Sequence, residues 1–461
     1  MFLFPVLYIL SFLKTIKGFL QKNPAGIAAF LVVGLPIYIN SLSVTHMYGF
    51  TSLVPVFQSF KEIVVVLALL ISAYQFKKIP QLTYIDKYVL LFLLGTGLYV
   101  LLPIGSYTFM TKLLAIKSLS FFCLLYAAGR FVAISKIKIA NIYHTIGLMT
   151  LLSAAIVLYE YITYEHIHTK TGFTNFLIDF FDGDPSGSYG LIWTFETETG
   201  LKRFGSIFGS PLELGAAMIL NLAVFFSYFT KANNQLTINK WSSSFFIASF
   251  ICIALALSRA SFIGYVSILF IYALITQNKK IVRGFYIGFI LAAIYFVYFL
   301  SQHDLYDFIF ESVTFTNASS VGHLLEWIDG VNAMITKPLG MGLGESGRIS
   351  MSAKENTGGE NQFIITGVQV GLPLLWVYIL IQVYLIKEAW KNKNSALGKL
   401  RRIAMLVLLY RLGILIPMFT SNTESFIYIS YFTWFMSGLM VNMLEQQKKI
   451  RYTFFKSAAL E

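Results

Sequence analysis

The chain is 461 residues long, 57% of them hydrophobic and only 12% charged, with a mean hydropathy of +0.69. Soluble domains carry about 45–50% apolar and about 25% charged residues, so an ordinary soluble protein is excluded; 33 Gly, 11 Pro and two Cys exclude collagen, disorder and a disulfide scaffold as well. The formal net charge of +13 would suit a nucleic-acid partner, but the placement of the charges points elsewhere.

In chain order, residues 2–13 are apolar, contain Pro5 and are too short to cross a bilayer, which takes about 20 residues. Lys14, Lys17 and Lys22 follow them, the reverse of a secretory signal. Residues 1–24 therefore read as an amphipathic segment on the cytoplasmic membrane face. Twelve apolar runs bounded by charge predict membrane helices at about 25–45, 54–75, 88–106, 111–129, 141–163, 206–229, 241–257, 260–277, 284–300, 362–386, 403–419 and 425–444. The expected fold is an all-α integral membrane protein. Nine spans lie within 25–300 and three within 362–444, followed by a basic tail at 445–461.

Of the 35 Lys and Arg residues, 24 fall in the segments on one side of these spans and eight on the other. By the positive-inside rule the richer side is cytoplasmic and holds both termini. The basic balance is then a topology signal, and no nucleic-acid partner is expected. Two segments on the outer side, 164–205 and 301–361, are acidic and too long to be mere connectors.

Charged residues near or inside spans usually face a cavity or pathway. Arg203 (in KRFGSIFGSPLELG) and Arg259 (in LSRASFIG) stand at outer helix ends, Lys61 and Lys117 lie about two turns inside, and Arg411 is mid-span. Glu62, Glu160, Glu213 and Glu424 are candidate counter-ions, which leaves internal ion pairing open. The other reading is a cationic outer pocket for a phosphorylated ligand, because guanidinium forks match phosphate oxygens. GSIFGSP, opening a helix, would add free backbone N–H groups.

The segment 319–372 is the most informative. A helix is expected over 319–336, with Leu324, Trp327 or Ile328, Val331 and Ile335 as its apolar stripe and His323, Glu326 or Trp327, and Gly330 on the adjacent face. Pro338 ends it, and Gly340, Gly342 and Gly344 make a turn that lacks the Lys-Ser/Thr of a phosphate loop. Glu360-Asn361 follows at the mouth of the tenth span, where an acid and an amide can cap a helix. Gly367 and Gly371 then allow close helix packing.

The order R-F-G-S-I-F-G-S-P at 203–211, S-R-A, a loop tryptophan, PLGxGxG, and then E-N-x-F-I with a following glycine resembles the bacterial O-antigen ligase and polymerase superfamily over about residues 200–375. That resemblance implies the fold of a C-type glycosyltransferase in the bacterial inner membrane, with its active site on the periplasmic side. It implies a donor and an acceptor linked to undecaprenyl pyrophosphate, no cofactor and no metal. Arg203 and Arg259 would bind the donor pyrophosphate, with Arg348 and Arg411 as further candidates. Asn361, Trp327 and Gly342 would position the acceptor loop. Glu360 is the first candidate base, then His323 with Glu326 as its partner or alternative. The ligase pattern has His where Glu360 stands and favours Arg where His323 stands, so polymerisation of repeat units is expected over transfer to lipid A core. A glycan-to-protein transferase, a flippase and another transporter are the competing functions. A chain-length regulator and a flippase are expected partners beside the bilayer itself.

Two other motifs carry less. His166 and His168 form an HxH pair, and Asp182, Asp184, Ser186 and Gly187 mimic the first half of a calcium loop. Trp193 occupies the twelfth position, where that loop needs Glu.

Overall fold

The computed structural model describes residues 1–75, 81–181, 183, 185–197, 200–277, 279, 282–287, 290–291, 318–347 and 357–458. Among them, regular structure is helical, with two isolated β-bridges, Glu196 with Lys202 and Thr230 with Leu236. The principal helices are α1 (Leu3–Leu20), α2 (Tyr38–Met47), α3 (Val54–Gln75), α4 (Tyr84–Leu101), α5 (Phe109–Phe131), α6 (Ile139–Thr163), α7 (Phe173–Phe181) and α8 (Pro211–Phe229). They continue with α9 (Lys240–Ala256), α10 (Arg259–Thr276), α11 (Ala318–Thr336), α12 (Gln362–Asn392), α13 (Gly398–Gly413), α14 (Leu415–Thr420) and α15 (Ile427–Ala458). Among the described residues, ten helical segments are long and apolar enough to cross a membrane, and the bent pair Pro24–Gly34 and Tyr38–Met47, at 67°, adds an eleventh. The protein is an integral membrane protein of helices. Eleven of the twelve expected spans are helices here, with α9, at 17 residues, just below span length. The ninth, 284–300, falls largely outside the described residues.

The N-terminal expectation is corrected. Residues 2–13, expected to be too short to span, belong to an 18-residue helix that is long and apolar enough to cross a membrane and packs against its neighbours. Tyr8 is fully buried and its hydroxyl donates to Phe57 O at 2.9 Å, while Phe12 stacks on Phe60 at 3.8 Å. Phe2 meets the Tyr48 ring at one end of the bundle and Lys22 lies over Tyr74 at the other. Lys14 and Lys17 sit on the exposed face, where long stems keep their charges out of the apolar layer, so the span continues past them. Residue 1 is consequently at the opposite end of the bundle from Lys448, contrary to the expectation that both termini share a side.

The two ends differ in chemistry. At the basic end, Arg130, only 2% exposed, pairs with Asp86 at 3.1 Å and Glu445 at 2.5 Å, and Lys136 Nζ donates to Lys22 O at 2.7 Å. A cavity of about 860 Å³ there is lined by Thr83, Glu388 and Lys448, among others. The opposite, loop end gathers the described residues of 164–210, the 255–259 turn, 336–347 and the start of α12.

α5 packs closely against α15. A Cβ on Gly129 would overlap Phe435 O, and one on Gly438 would overlap Tyr126 O. Small residues let backbones touch where dispersion, with no solvent contrast, holds helices together. Gly438→Val is expected to destabilise the protein by about 1–3 kcal/mol or more, the scale of overpacking. Thermal unfolding of purified protein in detergent would register this as a lower melting temperature.

Candidate active site at the loop end

α11 lies across the first half of α12 because both carry glycine at the crossing. A Cβ on Gly330 would overlap Ile364 Cγ2, and one on Gly367 would overlap Met334 Sδ. Met334, Ile364, Val368 and Leu375 form the small core beneath, with Trp327 partly buried against it. The Trp327 indole N–H is buried there without a hydrogen-bond partner among the described residues.

This packing brings together three groups expected from sequence. His323 Nδ1 lies 3.5 Å from Glu326 Oε2 on α11, and both side chains act electrostatically on the carboxyl of Glu360, just before α12. Burial pushes the Glu360 pKa up, His323 draws it back and Glu326 raises it further. Asn361 is the N-cap of α12: its side chain accepts from Phe363 N at 2.9 Å and Ile364 N at 3.2 Å. The amide therefore holds the helix start while the acid lies within electrostatic reach of the histidine.

The glycine-rich turn is a wedge. α12 breaks at Gly371, where φ is 76° and ψ 172°, next to Pro373. Met341 N donates to Val368 O at 2.7 Å, Gly342 N to Gln369 O at 3.1 Å, and Leu372 N to Pro338 O at 2.9 Å. Backbone groups freed by the break are thus satisfied by 338–342, as an interrupted membrane helix requires. Gly342, with φ 120°, also lets Gly105 approach, since a Cβ would come within 2.7 Å of Gly105 Cα. Gly371 serves the break, a different use from the close helix packing expected of it.

Arg203 and Arg259 are at the loop end together. Phe204 N donates to Leu255 O at 3.2 Å, and Ser258, whose hydroxyl caps α10, directly precedes Arg259. Arg203 is partly buried and Arg259 exposed; Arg203 N donates to Phe195 O at 2.8 Å. Two of the expected free N–H groups of GSIFGSP are taken by carboxylates. Ser206 N donates to Glu160 Oε2 at 3.0 Å and Gly209 N to Glu213 Oε2 at 3.1 Å.

Three buried side chains hold the segment after Arg203, and sequence reasoning missed this use of them. Glu160 also accepts from Ile167 N at 2.9 Å, Asn40 Nδ2 donates to Ile207 O at 2.9 Å, and His168 Nε2 lies 2.6 Å from Phe208 O. The available signal was an acid at the end of a span, which the sequence reading weighed only as a counter-ion. Glu160→Ala leaves two buried N–H groups unpaired, a loss of about 1–3 kcal/mol per group. The 203–210 segment should then show faster amide exchange while α5 and α15 remain protected.

The remaining candidates scatter. Arg411 is buried in the bundle, with Nη1 2.6 Å from Gln382 Oε1, Nη2 3.1 Å from Ser437 Oγ and its guanidinium 4.0 Å over Trp434. It is a packed core cation and does not join the other arginines. Lys61 and Lys117 share Glu62 at 3.1 and 2.7 Å, the ion-pair alternative. Glu424 accepts from Tyr378 OH at 2.8 Å and from the Trp434 indole at 2.9 Å. Arg348, Asp182 and Asp184 lie outside the described residues. Burial pushes His166 down to about 3 and His168 to about 4, so both rings are neutral at pH 7, and His166 sits among Tyr189, Phe195 and Phe204.

Residues 244–379 match the family model described as O-antigen ligase. That segment is similar to the O-antigen ligase family. It runs from α9 through the α11–α12 crossing, so it contains Arg259, His323, Glu326 and Glu360 but not Arg203. The match supports the O-antigen ligase and polymerase superfamily, whose members are glycosyltransferase-like membrane enzymes. No curated protein matches the chain.

Proposed function

We propose that this protein is a polysaccharide polymerase of the inner membrane that joins undecaprenyl-pyrophosphate-linked repeat units on the periplasmic side. The observation that carries it is the grouping of an acid–histidine–acid set at the α11–α12 crossing, at the same end of the bundle as Arg203 and Arg259 and opposite Lys448. An acceptor hydroxyl attacks the anomeric carbon, and Glu360 takes its proton. The bond from that carbon to the phosphate oxygen breaks, and undecaprenyl pyrophosphate leaves with the electron pair. Arg203 and Arg259 hold the growing negative charge. Attack from the face opposite the leaving group inverts the anomeric centre. The donor is already activated, so no nucleotide sugar is needed.

Glu360 and His323, which stand where the ligase pattern has His and Arg, favour polymerase over ligase. A flippase supplying the units and a regulator of chain length are its natural partners. The test is purified protein with undecaprenyl-pyrophosphate repeat units. A ladder with released undecaprenyl pyrophosphate supports the polymerase; transfer only to added lipid A core means a ligase; no transfer at all overturns the enzyme reading.

A further inference from the structure

The external ribbon that leads into Arg203 carries a large aromatic side chain used by neither the packing nor the chemistry above. Gly187 N donates to Leu191 O at 2.9 Å and Thr197 N to Leu201 O at 2.9 Å, which close the ribbon on itself. Leu191, Phe195 and Glu196 are buried, and Glu196 Oε1 accepts from Ser188 N at 3.0 Å. On the far edge, Tyr189 OH donates to Gly200 O at 2.8 Å, and Lys202 Nζ lies 4.2 and 4.4 Å from the Tyr164 and Tyr189 ring centres.

Trp193 stands on this rigid base and faces outward, 61% exposed. Its indole N–H donates to Ser186 Oγ at 2.8 Å, which fixes the ring and satisfies its polar edge without covering its face. Phe195, two residues on, accepts from Arg203 N. Two residues of chain reach no more than about 7 Å, so the Trp193 backbone is that close to the backbone partner of Arg203. Rigid indoles bind with little entropy loss and combine an apolar face with a polar edge.

We propose that Trp193 is a stacking platform for a pyranose ring of the glycan, placed beside the diphosphate subsite at Arg203. This rests on the polymerase reading and adds where the sugar lies. The apolar C–H face of the ring covers the indole while the hydroxyls stay in water, and no bond is made or broken.

The test uses the full-length protein in lipid nanodiscs, with Trp193→Ala and Trp193→Phe. Alanine should raise KM for lipid-linked repeat units about tenfold with kcat nearly unchanged, as expected when ground-state and transition-state binding are lost together; phenylalanine should restore most of it. Free oligosaccharide repeat, without lipid, should quench tryptophan fluorescence of the wild type but not of Trp193→Phe. An unchanged KM, or quenching that survives in Trp193→Phe, overturns the platform. Lower abundance with normal KM also overturns it, leaving an interfacial anchor only. Quenching by oligosaccharide in a protein that transfers nothing would keep the platform and sink the polymerase. Normal kinetics in Trp193→Ala beside an inactive Arg203→Ala would do the reverse.

Discussion

Glu360→Gln is expected to cut polymer formation by about 10²–10⁴-fold, the contribution of a positioned general base, with protein abundance unchanged. The amide keeps the side chain's shape but cannot take the acceptor's proton. Asn361, not Glu360, caps α12, so the helix start is preserved. The pH profile provides an independent check. The base works as the carboxylate, and burial among α11 residues raises its pKa above the ordinary glutamate value. Activity should therefore climb with pH through a midpoint above that value and fall as pH drops below it. Initial rates of ladder formation across pH in wild type and variant would measure both effects. Full activity in Glu360→Gln would remove it as base and promote His323.

Arg203→Ala and Arg259→Ala should each lower turnover by about 10²–10³-fold, the usual result of removing one donor to a developing oxyanion. Neither change should unfold the protein. Arg203 is tied into its ribbon through its main chain, which alanine retains, and Arg259 is an exposed residue in the first turn of α10. Lysine should rescue poorly because it lacks the two-point fork. Chain length on gels, together with undecaprenyl pyrophosphate release, reads the outcome. Near-normal ladders from both alanine variants would refute the diphosphate assignment. Arg411→Ala offers a contrast: it leaves Gln382, Ser437 and Trp434 without their buried cation, so its damage should appear as lost stability.

The span reading shows how far composition reaches. Runs such as 54–75 and 141–163 agree closely with α3 and α6, because a bilayer demands a length of apolar chain that any window can detect. The same test failed at α1, where two lysines inside the span resembled a boundary. The grouping of His323, Glu326 and Glu360 was half legible: the i, i+3 spacing puts the first two on one helix face, but nothing local says that Glu360 meets them. The glycine turn invited comparison with a phosphate loop, and only the break at Gly371 shows what its N–H groups are for.

Composition, apolar periodicity and the distribution of lysine and arginine by themselves determined an all-helical membrane protein with a basic end and an opposite end rich in long loops. These are properties of single segments in water or lipid, and each is written in a stretch of about 20 residues. Which carboxylate serves a neighbouring main chain, as Glu160 does for Ser206, and which arginine is packed away, as Arg411 is, were decided only by tertiary structure. The reason is that a buried polar group takes whichever partner the packing brings within hydrogen-bond reach. Here those partners come from other elements, the loop after Arg203 for Glu160 and α12 and α15 for Arg411.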